Sequence, residues 1–368
     1  MIPAPNGHAP VEPREVLIVG GGIAGLEALM ALADLGDNRL RLQLVADHAS
    51  FVLPPQLLGV PWGGPSLHID LERLCRAFGA RFTLGTVTGV DAGTREVYTA
   101  GGGTLEYERL LLAPGARRAL AYGATRTLGF GVLPDALAAK LSGSVTIVVP
   151  AGVSWTLPAY QLALLSAHGG RDVRVLTAED VVMEAFGPAM HAAVGALLER
   201  HGVVVETSRA PDPGTPVSEL ADTVISLPLL NGPAITGLPL DGHGFVRVDA
   251  QMAVLGVEHI HAAGDATRHA IKQGGLAAQQ ADTAAAEIVR SCGGDPPPTP
   301  YAPVLRGKLT TPGGEELYLR RGLDGLDPGR TSGTPLWEPS GAICAWRLAL
   351  WLNFHRSELE QASLDPVA

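Results

Sequence analysis

Cysteine is scarce in this chain of 368 residues: Cys75, Cys292 and Cys344 are its three, they lie far apart, and none belongs to a C-x-x-C pair. That spacing argues against a disulfide framework and a zinc site, so no metal is expected, and it fits a reducing, cytoplasmic compartment. Charge is sparse too, at 17% of residues, and 27 basic against 37 acidic side chains leave a net charge of −10. A surface of that sign repels phosphate backbones, so nucleic acid is not an expected partner. No run of about 18 apolar residues occurs, which excludes a spanning helix. The proline-rich residues 1–14 lack the basic-then-apolar order of a secretion signal.

What is plentiful is small and apolar. Hydrophobic residues make up 46%, which points to a well-buried globular enzyme. The length suits two domains and a short extra module. The most informative stretch is residues 16–25, Val-Leu-Ile-Val-Gly-Gly-Gly-Ile-Ala-Gly. Its apolar run reads as a buried parallel strand, Gly20, Gly22 and Gly25 as a tight turn, and 26–35 as the following helix. In such a turn the first glycine bends the chain and the second lets backbone N–H groups approach a pyrophosphate. The third lets helix and strand pack closely, and the phosphates meet the positive helix N-terminus. A second strand, 41–46, ends at Asp47, near the distance at which a carboxylate meets a ribose. The usual acid position falls on Ala46, so a solvated carboxylate suits Asp47 equally well.

Further along, the pattern predicts a short helix at 71–78, strands at 81–84 and 87–90, a hairpin of 96–99 with 105–107, and a buried strand at 109–113. A second alternating unit follows: strand 145–149, helix 157–167, strand 172–176, helix 190–201, strand 203–206 and a strand near 223–227. After it come a strand at 245–248, the segment 259–265, an alanine-rich helix at 275–290, a stiff proline linker at 296–303, a hairpin around 312–314, and an apolar stretch at 342–354.

Three motifs belong together: the glycine turn, Leu112-Ala113-Pro114-Gly115, and Ala262-Ala263-Gly264-Asp265 followed by Lys272-Gln273-Gly274-Gly275. Together they resemble the flavoproteins with two dinucleotide-binding domains, and among them the sulfide:quinone oxidoreductases and type II NADH dehydrogenases. The resemblance covers roughly residues 14–290. It implies an α/β fold of two Rossmann-like domains: a discontinuous FAD-binding domain, 14–118 and 241–295, with a second, NAD-binding-like domain, 119–240, inserted into it. A short C-terminal α+β module, 300–368, completes the chain. It also implies FAD as cofactor, held through Gly20, Gly22, Gly25, Asp47, Ala113, Gly115, Gly264, Asp265, Lys272 and Gln273. Asp265 meets the ribityl chain, or alternatively caps a nearby helix. Phe51 and Pro55 match a segment that lies near the adenosine and flavin in this family, or they simply pack. The helix N-terminus at Gly275, with Lys272 beside it, is expected to stabilise the charge of reduced flavin.

The second domain departs from that pattern. Its turn reads Val149-Pro150-Ala151-Gly152-Val153-Ser154-Trp155, so one glycine of three remains and NAD(H) binding is open and doubtful. The same stretch resembles the segment that carries a catalytic cysteine in sulfide:quinone oxidoreductases, and Trp155 stands at that position. Sulfide oxidation needs a thiolate there. Gly152, Trp155 and Glu179 are the candidates for a substrate or nicotinamide pocket, with Trp155 as a core aromatic and Glu179 as a solvent-exposed acid the alternatives.

The expected function is FAD-dependent electron transfer between a small-molecule donor and a quinone or other small acceptor. The competing readings are an NADH-dependent enzyme with a distorted nicotinamide site, and a flavin-binding protein without turnover. No general acid, base or nucleophile is assigned. Residues 342–354, with Arg347 and tryptophans, suggest a buried docking helix, a dimer contact, or peripheral contact with the inner face of a membrane.

Overall fold

A computed structural model describes residues 12–53, 67–122, 126–127, 141, 143–212, 215–340 and 345–364. Pro55, Cys344 and residues 341–343 lie outside that set.

Two five-stranded parallel sheets organise the chain. The first takes its strands in the order 260–262, 109–112, 14–19, 40–46, 81–84. Its central strand, Arg14–Val19, is buried from Val16 onward and runs into helix α1, Ile23–Leu35. Every residue of α1 from Ala24 to Leu32 is buried, as expected of a helix that is apolar all round. It is sandwiched between this sheet and a late helix, so residues distant in sequence share one core. Helix α2 (Leu71–Ala77) is capped by the Asp70 carboxylate, which accepts from the Arg73 N–H at 2.8 Å. An antiparallel ribbon of 87–91, 96–99 and 104–106 packs on the other face of the sheet.

The second sheet has the order 126–127, 223–226, 145–149, 173–177, 203–206. Helices α3 (Leu157–Ser166) and α4 (Pro188–Arg200) pack on it around Tyr160 and Phe186. An antiparallel pair, 117–119 with 229–231, joins the segment that follows strand 109–112 to the segment that follows strand 223–226. The chain then returns to the first sheet through strand Ile260–Ala262 and helix α5, Gly274–Ser291. The C-terminal part is an antiparallel sheet of 304–310, 316–322 and 330–332, then helices α6 (Trp346–Phe354) and α7 (Arg356–Leu364). The α/β class with a small α+β module therefore holds.

One expected strand does not form. Residues 245–248 make isolated bridges, Val246 with Leu240 and Thr267 and Val248 with Val254, instead of a ladder. Just before it, Gly244 takes a φ of +81° and its backbone comes close to Gly232.

Candidate flavin site and second nucleotide turn

The first glycine turn is shaped by contacts that leave no room for side chains. Gly20 has φ +109°, and a Cβ there would overlap the Ala113 carbonyl; a Cβ on Gly25 would overlap the carbonyl of Gly20. Both glycines are thus fixed by backbone packing, one binding strand 109–112 and the other the first turn of α1. Gly22 differs, since a Cβ on it would meet nothing within 4 Å. Gly22 is also the N-cap of α1 without a side-chain cap, leaving the helix N-terminus facing open space. That is a cradle for a phosphate group. Gly115, with φ +75°, likewise opens on free space beside Ala113.

The opposite wall comes from the end of strand Ile260–Ala262. Gly264 has φ +74°, and a Cβ there would press on Ala24 and Ala277, so a glycine lets α1, α5 and this loop meet. Behind it the Gln280 amide oxygen accepts from the Gly264 N–H at 2.7 Å and from the Thr267 hydroxyl at 3.3 Å. Gln280 also donates to the Tyr301 hydroxyl at 3.2 Å. Asp265 is partly buried. Burial raises its carboxyl, and the cations of Lys272 and Arg118 oppose that rise. No helix is capped by it.

Lys272 is buried where the resemblance implied a residue beside the helix end. It donates to the Thr267 carbonyl and lies 3.9 Å from the centroid of the Phe245 ring. Burial lowers it to about 8, while Asp265 and Asp241 oppose that. Gln273 is the N-cap of α5, accepting from the Leu276 N–H at 2.9 Å and donating to the Arg306 carbonyl at 3.1 Å. Its role here is to cap the helix and tie it to the C-terminal sheet. Asp47 is exposed and pairs with His48 at 2.6 Å. Phe51 is packed in the core of the first unit.

The second turn is built differently. Gly152 keeps a left-handed φ of +84°, but Pro150 has no N–H and Pro158 removes another donor from the first turn of α3. Trp155 lies against Phe186, with ring centroids 5.6 Å apart, and packs on the core of this unit. Glu179 corrects the expectation of a solvent-exposed acid. One oxygen accepts from the Thr156 hydroxyl at 2.9 Å and the Glu184 N–H at 3.1 Å; the other accepts from Tyr160 at 2.6 Å and Thr177 at 3.1 Å. A cavity of about 340 Å³ opens at the ends of these strands, lined by Tyr122, Pro150, Ala178, Ser208, Asp212 and Leu229 among others.

Phe245, Thr267, Gln280, Tyr301 and Arg118 were not legible as site residues. The one sequence signal is Gln280, a polar side chain inside an alanine-rich helix. Cys75 and Cys292 are buried, and burial pushes the Cys75 thiol up to about 12. Among the described residues no group of His, Cys, Asp and Glu is arranged to hold a metal ion.

Two parallel sheets, each followed into its helix by a glycine-bearing turn, define the Rossmann-like class of dinucleotide-binding folds. The family model for pyridine nucleotide-disulphide oxidoreductases matches residues 14–222, and the chain belongs to that family. Enzymes of this family are FAD-dependent oxidoreductases, and so is this chain. The sulfide:quinone oxidoreductase of the hyperthermophilic bacterium Aquifex aeolicus has the same fold, with a TM-score of 0.74 and 18% identity over 95% of this chain and 90% of that one. So does the NADH:rubredoxin oxidoreductase of Clostridium acetobutylicum, with a TM-score of 0.62 and 15% identity over 88% of this chain and 84% of that one. No curated protein matches the sequence.

Proposed function

We propose that the protein passes electrons between a small-molecule reductant and a quinone or other small acceptor, through FAD held at the first glycine turn, without a catalytic cysteine. The carrying observation is the pairing of an open, uncapped α1 N-terminus at Gly22 with the Asp265 carboxylate on the facing wall. FAD supplies the two-electron chemistry. Gly22 would receive the pyrophosphate in the turn that Gly20 and Gly25 shape, Ala113, Gly115 and Gly264 would form the walls, and Asp265 would accept from the ribityl hydroxyls. Lys272 would place positive charge beside the flavin, with Phe245 and the Thr267 carbonyl holding it in place.

The two parallel sheets and the antiparallel pair 117–119 with 229–231 support a discontinuous FAD domain, 14–118 and 241–295, interrupted by 119–240 and followed by the module 300–368. Against thiolate chemistry stand Trp155 at the cysteine position and the buried Cys75 and Cys292. The test is anaerobic: the purified flavoprotein is mixed with a panel of reductants and then with quinones while the oxidised flavin band is followed. Reduction by a non-thiol donor and reoxidation by a quinone supports the reading. Rapid reduction by sulfide with a persulfide left on the protein overturns it.

A further inference from the structure

We infer that the second nucleotide turn is closed to NADH and NADPH by the chain's own side chains, and that Glu179 holds this unit together instead of binding a coenzyme. The inference deepens the function proposed above, because it removes the nicotinamide coenzymes from the donors that reach the flavin.

Three features make the case. The first is the loss of donors where a pyrophosphate would sit. Pro150 and Pro158 contribute no N–H, and the Ser154 carbonyl accepts from the Lys272 N–H at 3.4 Å, which ties this turn to the wall of the flavin cleft. The second is steric. Trp155 stands where a small residue would let the phosphates approach, and it belongs to one apolar cluster with Phe186, Ile271 and Leu276. The C-terminal sheet covers the same helix, since Gln161 exchanges two hydrogen bonds with the backbone of Thr310, at 2.8 and 2.9 Å.

The third feature is Glu179. A carboxylate at the end of the second strand of such a unit is placed for a ribose hydroxyl pair. Here both oxygens are engaged from within, by the hydroxyls of Thr156, Tyr160 and Thr177 and the Glu184 N–H. Turning it outward would leave the buried Tyr160 and Thr177 hydroxyls without this acceptor. The carboxylate thus joins the N-terminus of α3, the strand Val173–Thr177 and the loop at Glu184. Among the described residues, the lining of the remaining cavity offers no cation to a phosphate.

The test uses the FAD-loaded full chain. NADH and NADPH are titrated to millimolar concentration, binding is read by calorimetry, and flavin reduction is followed anaerobically with dithionite as the positive control. The expected result is no saturable binding below about 1 mM (~4 kcal/mol) and full reduction by dithionite alone. Glu179→Ala and Glu179→Gln are then melted beside the parent. The expected result is a lower midpoint for both, more so for Ala, with the flavin band retained. Saturable binding of either coenzyme at micromolar concentration overturns the inference, as does a Glu179→Ala protein that melts with the parent.

Discussion

The two glycine turns of this chain start from the same strand-turn-helix plan and arrive at opposite ends. At the first, Gly20 and Gly25 are fixed by backbone contacts and Gly22 faces free space, so the turn is tight behind and open in front. At the second, only Gly152 persists, and Trp155, Phe186 and the Glu179 hydrogen bonds fill what the first turn leaves open. The difference shows that a βαβ unit needs its strands and helix packing to fold, but needs its glycines only where a ligand or a backbone comes close. In the second unit aromatic and proline residues stand in the turn while the strand-helix-strand packing remains, with Glu179 tying the Thr156, Tyr160 and Thr177 hydroxyls together.

The most damaging way to probe that contrast is within the first turn. Gly25→Val drives a side chain into the Gly20 carbonyl and is expected to destabilise the protein by ~3 kcal/mol, with no flavin retained. Gly22→Val meets no protein atom, so it is expected to melt near the parent, as colourless protein. Gly152→Val is expected to keep its flavin. Thermal melts with the visible spectrum of each purified variant check all three, and a yellow Gly22→Val protein would break the comparison.

Next in size is a pH effect on a carboxylate in the helix after the first turn. Glu27, fully buried in α1, accepts from the N–H groups of Arg347 and Leu348 at 2.7 and 2.8 Å, and so caps α6 from another part of the chain. Arg347 also pairs with Asp34 at 2.9 Å and Asp282 at 2.7 Å, so three acids face one cation. Burial, with Asp282 adding to it, raises Glu27 to about 7, and burial raises Asp282 to about 6. Acids whose folded pKa lies above the unfolded value bind more protons in the folded state, so their contribution is present at low pH and is lost as pH rises through the folded pKa. Stability is expected to fall by about 2–3 kcal/mol between pH 5 and pH 8 from Glu27 alone. Denaturant melts across that range check it: Glu27→Gln is expected to flatten the slope, and an unchanged slope would remove Glu27 as its source.

Asp265 and Glu179 sharpen the same comparison, since both are carboxylates at a strand end and only one is engaged from within. Asp265→Ala is expected to weaken FAD binding about 30-fold (~2 kcal/mol) with little change in the apoprotein's melting midpoint. Flavin fluorescence during dialysis against apoprotein measures the first, and calorimetry of the apoprotein the second. Equal flavin affinity in parent and variant would take Asp265 out of the cofactor site.

How much of this was legible follows the physics of each element. Strands 81–84, 96–99, 145–149 and 203–206 have the bounds read from the sequence, because short runs rich in β-branched and aromatic residues end at turn residues. The glycine turn and the Gly264-Asp265 loop were legible because their backbone geometry admits few residues. Segment 245–248 was not, since its alternation of apolar residues suits isolated bridges to Leu240, Val254 and Thr267 as well as a ladder. Glu179, Gln273 and Glu27 escaped for one shared reason. Each satisfies donors on another element, and sequence shows the acid or amide but not the N–H that folding brings to it.

The smallest expected effect concerns the tail, whose sequence reads as apolar nearly all round but whose helix is two-sided. Leu348, Ala349 and Leu352 are buried, while Trp346, Leu350 and Phe354 are 61%, 45% and 85% exposed at a spacing of four residues. Among the described residues no helix is long and apolar enough to cross a membrane. Arg347, which the sequence offered as an interfacial cation, is engaged by Asp34 and Asp282, so the helix meets any surface through its apolar stripe alone. The helix docks onto α1 through its buried face and the Glu27 carboxylate, and contact of the stripe with a membrane surface is expected to add only weakly to that. A full chain carrying Trp346→Ser and Phe354→Ser is expected to keep its melting midpoint, because neither side chain is buried, and to lose at most about tenfold (~1.4 kcal/mol) in flotation with zwitterionic vesicles. Equal flotation of parent and variant would remove the membrane contact while leaving the docking role intact. A lowered midpoint would mean that the stripe covers part of the protein itself, and the two-sided reading of the helix would fail.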